Sequence, residues 1–183
     1  EKGTRQLVPA QVDINNPGLT GAVQNQPDFQ AGSADHRTHF VAAVPTLVRQ
    51  AMAEYSALTG RQYSPVHTFM CDDAEMVMVG LGSVTDDVEA VVTHLRSQGK
   101  KVGVVSIKLL QPFPEAEVVA ALKGKKAVTV LERSEQTALT TLVTQALFKG
   151  CENASQMRPE GSTLGVRHEG IPAIKTMPRL TTA

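Results

Sequence analysis

The sequence predicts an α/β fold: a mostly parallel sheet with helices on both of its faces. Three observations carry this. Residues 76–79, 102–107 and 127–131 are short, near-continuous apolar runs, the pattern of strands buried on both sides. Each is followed by a segment with apolar residues at three- and four-residue steps, as an amphipathic helix requires. The connections between them are short, and strands joined through helices in this way run parallel.

Taken in order, residues 1–35 hold few apolar residues and no period. Pro9, Pro17, Gly18, Gly21, Pro27 and Gly32 punctuate them, and Asn15-Asn16-Pro17-Gly18 is a turn signal. An extended lead-in is expected, lying along a neighbouring domain. From Asp35, a helical stripe runs through Phe40, Val44, Leu47, Val48, Ala51, Met52, Tyr55 and Leu58, with Gly60 as its stop. Pro45 interrupts it, so the helix either kinks or starts there. Residues 63–69 supply a small strand.

Met76-Val77-Met78-Val79 is the first core strand, and Gly80-Leu81-Gly82-Ser83 turns the chain. Ser83 or Thr85 caps the next helix, with Asp86, Asp87 and Glu89 near its positive end. Val88, Val91, Val92 and Leu95 form its buried stripe, and Gly99 ends it. The second core strand is centred on Val102-Gly103-Val104-Val105. Val118, Val119 and Leu122 mark a short helix closed by Gly124, and residues 127–131 give the third strand. Leu139, Leu142, Val143, Ala146 and Leu147 mark a helix ending near Gly150. Residues 151–183 are polar and read as a tail towards a further domain. Within them 171–177 supplies an edge strand, because Pro172 cannot donate to a ladder.

Composition excludes several classes. Eighteen Lys and Arg balance 18 Asp and Glu, without a basic block, so the footprint of nucleic-acid binding is missing. No apolar run approaches the roughly 18 residues of a membrane span. The polar N-terminus has no signal-peptide core. Two cysteines, Cys71 and Cys151, make no disulfide framework, and a cytoplasmic protein is expected. Glu1 is not a Met, and a piece of a longer polypeptide is expected. Aromatic residues are only 4%, so Ala, Val and Leu must fill the core.

The chemistry-bearing motifs are incomplete. Gly80-Leu81-Gly82 stands where a dinucleotide loop would, but Thr85 replaces the third glycine. Lys108 occupies the region where a ribose-binding acid is needed. His36 and His39 share a helix face without completing a ligand set. Cys71-Asp72-Asp73 reads as a turn, its carboxylates opposing a thiolate. His94 falls on a polar helix face. Gly124-Lys125-Lys126 precedes a strand, so it is no phosphate loop. By motif alone this is a Rossmann-like α/β domain without a catalytic, cofactor-binding or metal-binding residue.

The order of segments carries more. Gly21-Ala22-Val23-Gln24-Asn25-Gln26-Pro27-Asp28-Phe29-Gln30 resembles the Gly-Thr-Ala-Gln-Asn-Pro-Asp and Phe-Gln segment of pyruvate:ferredoxin (flavodoxin) oxidoreductases. Val44-Pro45 with Met52, then Leu58-Thr59-Gly60-Arg61-Gln62-Tyr63, resembles their next helix and its exit. Asp73-Ala74-Glu75 with Gly82-Ser83 follows, then Gly99-Lys100-Lys101-Val102-Gly103 and Lys108-Leu109-Leu110-Gln111-Pro112-Phe113. Val130-Leu131-Glu132-Arg133 resembles their Val-Leu-Asp-Arg strand end. The pieces are collinear from about Gly21 to Gly150. Gln111 in place of Arg, Gln136-Thr137-Ala138 in place of Glu-Pro-Gly, and the extra Gln26 mark divergence.

The resemblance implies a transketolase C-terminal-like domain: a three-layer α/β/α sandwich around a mostly parallel five-stranded sheet, over residues 36–150. It implies an enzyme that oxidatively decarboxylates a 2-oxo acid on thiamine diphosphate, forms an acyl-CoA, and passes electrons through 4Fe–4S clusters to ferredoxin or flavodoxin. Those sites lie chiefly on other domains, so this chain would be a non-catalytic part of a homo-oligomer when intact. Gln24, Asn25 and Asp28 are expected to face the thiamine-bearing domain, the alternative being a local Asx-turn. The C-terminal domain of a transketolase or 2-oxoacid dehydrogenase, and a free-standing flavodoxin-like module, are the competing readings. The Gln-Asn lead-in favours the oxidoreductase.

Overall fold

The computed structural model describes residues 23–133, 136–155 and 168–183, in two units that divide between Ala43 and Val44. The described part of the first unit corrects the lead-in reading. Residues 26–35 are not extended but form helix α1, Gln26–Asp35, which runs on through a π-helical segment, His36–Val41. Asn25 caps it, its Oδ1 accepting from the Asp28 N–H at 3.1 Å. Pro27 stands in the first turn, where a missing N–H costs nothing. Gly32 costs about 1 kcal/mol in a helix interior and does not break it. The expected extended course of residues 1–22 lies outside the described residues.

The second unit opens with helix α2, Val44–Thr59, so the chain starts a helix at Pro45 rather than kinking there. Gly60, at φ 70°, turns it off, its N–H reaching the Ser56 carbonyl at 2.9 Å. There follow β1 (Val66–Phe69), β2 (Met76–Leu81), α3 (Val84–Ser97), β3 (Val102–Ile107), α4 (Glu115–Leu122), β4 (Ala127–Val130), α5 (Ala138–Ala154) and β5 (Arg179–Thr182). They build a five-stranded sheet in the order β1-β3-β2-β4-β5, parallel except for β1. The mostly parallel α/β fold expected from the three apolar runs is the observed one.

Side-chain alternation decides which helix covers which face. Val77 and Val79, Val105 and Ile107, and Val128 and Val130 join one core cluster with Val118, Val119 and Leu122 of α4 and Val143, Ala146 and Leu147 of α5. Ser106, between Val105 and Ile107, instead meets Thr85 of α3 at 2.8 Å. Helix α3 therefore lies on the face opposite α4 and α5. This is the right-handed solution for a chain that steps from β2 to β3 on one side and then to β4 on the other. The core is valine-rich, as the scarcity of aromatics requires.

Four further expectations are corrected. Val91 is 55% exposed and leaves the α3 stripe to Val88, Val92 and Leu95. Gly150 does not end α5, which continues to Ala154. It is a close-approach glycine: a Cβ there would stand 3.1 Å from Ile174 Cγ1, Pro172 O and Val119 Cγ1. The last strand is not 171–177. Ile174 is buried, its N–H donating to the Gly150 carbonyl at 3.0 Å, and pairing with β4 falls to Arg179–Thr182. Pro178 precedes that strand, where no donor is needed. Consequently the described part of the supposed tail, 168–183, returns to the sheet instead of leading away from it. Helix α2 contains no buried residue.

Candidate functional site

In an open α/β sheet, ligands bind outside the carboxyl ends of the strands where the strand order reverses. Here that point lies between β2 and β4. Gly82 and Ser83 leave β2 on one side, and Glu132 and Arg133 leave β4 on the other. Gly82 takes φ 83°, open to glycine without strain. Gly80 meets the helix closely, since a Cβ there would lie 2.9 Å from Thr85 Cγ2.

Donors at both helix ends facing this point are engaged within the chain. At α3, the Thr85 N–H donates to the Gly82 carbonyl at 3.2 Å and the Asp86 N–H to the Ser83 carbonyl at 3.0 Å. The buried Thr85 hydroxyl also donates to the Gly82 carbonyl, at 2.8 Å, which leaves Ser106 as the donor in their 2.8 Å contact. So Thr85, not Ser83, is the polar anchor of the turn; Ser83 makes no capping side-chain bond. At α5, the Glu132 carboxylate accepts from the Leu139 N–H at 2.7 Å, the Thr140 N–H at 3.2 Å and the Thr140 hydroxyl at 2.6 Å. The Thr140 hydroxyl first, and then the α5 backbone donors, hold this carboxyl below its ordinary pKa. A phosphate arriving from outside would need donors that Glu132 already occupies.

Sequence reasoning quoted Glu132 only inside a strand-end motif and missed its capping role, because its partners stand seven and eight residues away. Lys108 and Arg133 are exposed beside this end of the sheet. At the opposite end, Ala74 N–H to Cys71 O, at 3.2 Å, closes the turn expected at 71–73. The Cys71 thiol donates to the Val104 carbonyl at 3.2 Å, and burial, more than the neighbouring Asp72, raises its pKa. Arg96 grips that turn, bonding Asp73 Oδ1 at 2.7 Å and the Val102 carbonyl at 2.7 Å.

Gln24, Asn25 and Asp28 are all exposed. Asn25 and Asp28 come together through the cap, Gln24 precedes it, and Asp28 lies in the first helical turn, where its charge suits the helix end. His36 stacks on Phe40 at 5.6 Å, and His39 stands 3.4 Å from Asp35. His94 is exposed and meets Gln98 at 2.9 Å. A groove of 210 Å³ is lined by Pro45, Leu109, Pro112, Phe113 and Ile171, with Arg49 and Glu117 paired at its rim. Among the described residues no three His, Cys, Asp or Glu side chains group to hold a metal ion. Nor is any described helix long and apolar enough to cross a membrane.

Comparison with known proteins adds the following. The sequence profile described as "Pyruvate:ferredoxin oxidoreductase core domain II" matches residues 74–166. A pyruvate-flavodoxin oxidoreductase of Klebsiella pneumoniae is 37% identical over 123 residues, which are 67% of this chain and 10% of that protein. The pyruvate synthase subunit PorA of Methanothermobacter thermautotrophicus is 34% identical over 88 residues, 48% of this chain and 23% of that subunit. A solved structure of 2-oxoglutarate:ferredoxin oxidoreductase from Magnetococcus marinus aligns with a TM-score of 0.46 at 20% identity, covering 91% of this chain and 22% of that one. The chain thus spans only a small part of each relative.

Proposed function

The chain belongs to the pyruvate:ferredoxin oxidoreductase core domain II family, and from that premise we propose that it is a non-catalytic structural domain of a 2-oxoacid oxidoreductase. The whole enzyme would convert a 2-oxo acid, pyruvate first among candidates, and CoA to acyl-CoA and carbon dioxide. The electrons released would pass to ferredoxin or flavodoxin. The observation that carries the non-catalytic reading is the state of the switch point. Its helix-end donors are engaged by Glu132, Gly82 and Ser83. The buried Cys71 thiol is likewise engaged, by the Val104 carbonyl.

The residues of this chain do not fit the enzyme's cofactors. Iron–sulfur clusters need several thiolates, and the chain has two separated cysteines, Cys71 and Cys151. Thiamine diphosphate and CoA carry phosphates, for which Glu132 already occupies the α5 end at the switch point. These groups belong on other domains or subunits, in a homo-oligomer we place in the cytoplasm. Residues 36–150, with the returning strand, would form the domain body. Gln24, Asn25 and Asp28 would face the thiamine-bearing domain, Asn25 acting first as a helix cap.

The test is made in the whole polypeptide, by pyruvate- and CoA-dependent reduction of a viologen dye. Cys71→Ala, Lys108→Ala and Arg133→Ala should leave kcat within about twofold of wild type. A hundredfold loss in a folded variant would place catalysis here and end the proposal. Gln24→Ala with Asn25→Ala should release thiamine diphosphate more readily. Retention and activity equal to wild type would reduce the lead-in to a helix cap alone.

A further inference from the structure

Helix α2 has two apolar flanks; this chain covers one in part, and on the other only the Tyr55 ring meets a described ring, that of Tyr63 at 4.9 Å. Pro45, Val48, Met52 and Ser56 recur at three- and four-residue steps and are half-buried. They hold the helix to its own unit, with Ser56 Oγ accepting from the Tyr63 N–H at 2.9 Å and Arg49 paired with Glu117. The other flank is Leu47, Ala51, Tyr55 and Leu58, at steps of four, four and three, one continuous stripe on a helix. Leu47 is 59%, Tyr55 53% and Leu58 84% exposed. Single exposed apolar residues are ordinary, but large ones aligned on one stripe mark an interaction surface.

One carboxylate stands at the rim of the stripe. Glu54 lies beside it, accepting a hydrogen bond from Gln50 at 2.9 Å, and no described cation pairs with it. We propose that this stripe seats an amphipathic helix from the same subunit as this chain, with a Lys or Arg set against Glu54. The inference rests on the oxidoreductase reading above. In that reading the occupant is at hand. The matched span is 10% of the single-chain relatives and 21–23% of the PorA subunits. In both arrangements most of the polypeptide therefore lies outside the matched span. A cover tethered in the same polypeptide acts at high effective concentration, which suits a narrow apolar stripe. A second copy suits it less. A two-fold axis through the stripe's midpoint, between Ala51 and Tyr55, would bring both Glu54 carboxylates close to that axis and supply no cation.

The experiment uses the intact enzyme with a photo-crosslinking benzoylphenylalanine at Leu58 and, separately, at Tyr55, where the ring it replaces is similar. Ala53, exposed on the polar flank, is the control position. Crosslinks are mapped by mass spectrometry in a mixture of light and heavy isotope-labelled protein. The stripe positions should crosslink within their own subunit, to a segment outside residues 1–183 that carries a basic residue, and Ala53 should not. Glu54→Lys should lower the yield at Leu58 several-fold. Light-to-heavy crosslinks would show a second copy there, and reaction with solvent alone at both positions would show an open surface. Either result overturns the proposal. Dye reduction is read on the same samples. Activity without the crosslink sinks the docking alone, whereas the crosslink without any 2-oxoacid-dependent activity sinks the oxidoreductase reading.

Discussion

Glu132 closes the amino end of α5 with three hydrogen bonds from two residues. Its carboxyl is depressed in the folded chain, by the Thr140 hydroxyl first and the backbone N–H groups next. The sign follows from linkage: the stabilisation is complete above the ordinary carboxylate pKa of about 4.3 and is lost as pH falls through the lower folded value. Glu132→Ala should cost about 0.5–2 kcal/mol at pH 7, the range for a lost helix cap. Glu132→Gln, which keeps one acceptor oxygen, should cost less. In urea titrations at pH 7 and pH 3 the difference from wild type should shrink at the lower pH; a constant difference would refute the ionised cap. Among the described residues Gly103 is the tightest glycine. A Cβ there would lie 2.7 Å from the Met70 carbonyl oxygen and 2.9 Å from Cys71 Sγ. Gly103→Ala should therefore destabilise by about 1–3 kcal/mol, as overpacking does, although alanine suits a strand no worse than glycine. Unchanged urea midpoints would contradict the contact. Neither role is legible in the sequence, because each depends on atoms brought in from remote positions.

At the scale of elements, legibility followed the strength of the period. Strands β2, β3 and β4 are continuous apolar runs, and they emerged in place and mutually parallel. Helix α1 did not, since Pro27 and Gly32 look like breaks until Asn25 is recognised as a cap. Strand β5 did not either, because its pairing rests on main-chain bonds and on the Thr129–Thr181 contact of 2.9 Å, not on apolar content. The β2–α3 turn is held to β3 by the buried Thr85–Ser106 hydroxyl pair. Thr85→Val alone should cost about 1–3 kcal/mol, since it leaves the Ser106 hydroxyl buried and unmatched. Thr85→Val with Ser106→Ala removes both polar partners and should recover part of that loss. A double mutant whose loss equals the sum of the two single losses would show that the hydroxyls do not act as a pair.

For the molecule as a whole, the family was legible from the order of weak motifs rather than from any one of them. Periodicity marked one apolar face on α2, and much of that stripe lies exposed; a period reports that a face is apolar and not whose chain covers it. The engaged helix ends at the switch point predict that the chain binds neither NAD nor FAD. Titration calorimetry should give no heat of binding, and micromolar affinity for either would overturn the reading of Glu132 and Thr85 as internal caps. Strand β5 has one more consequence. Its partner, β4, ends at Val130, while β5 starts only at Arg179. A ribosome adding about 5–20 residues per second leaves that edge of the nascent sheet open for several seconds before its neighbour is made. During synthesis the flank of β4 is thus open to a chaperone, a vulnerability that ends when Arg179–Thr182 clears the exit tunnel.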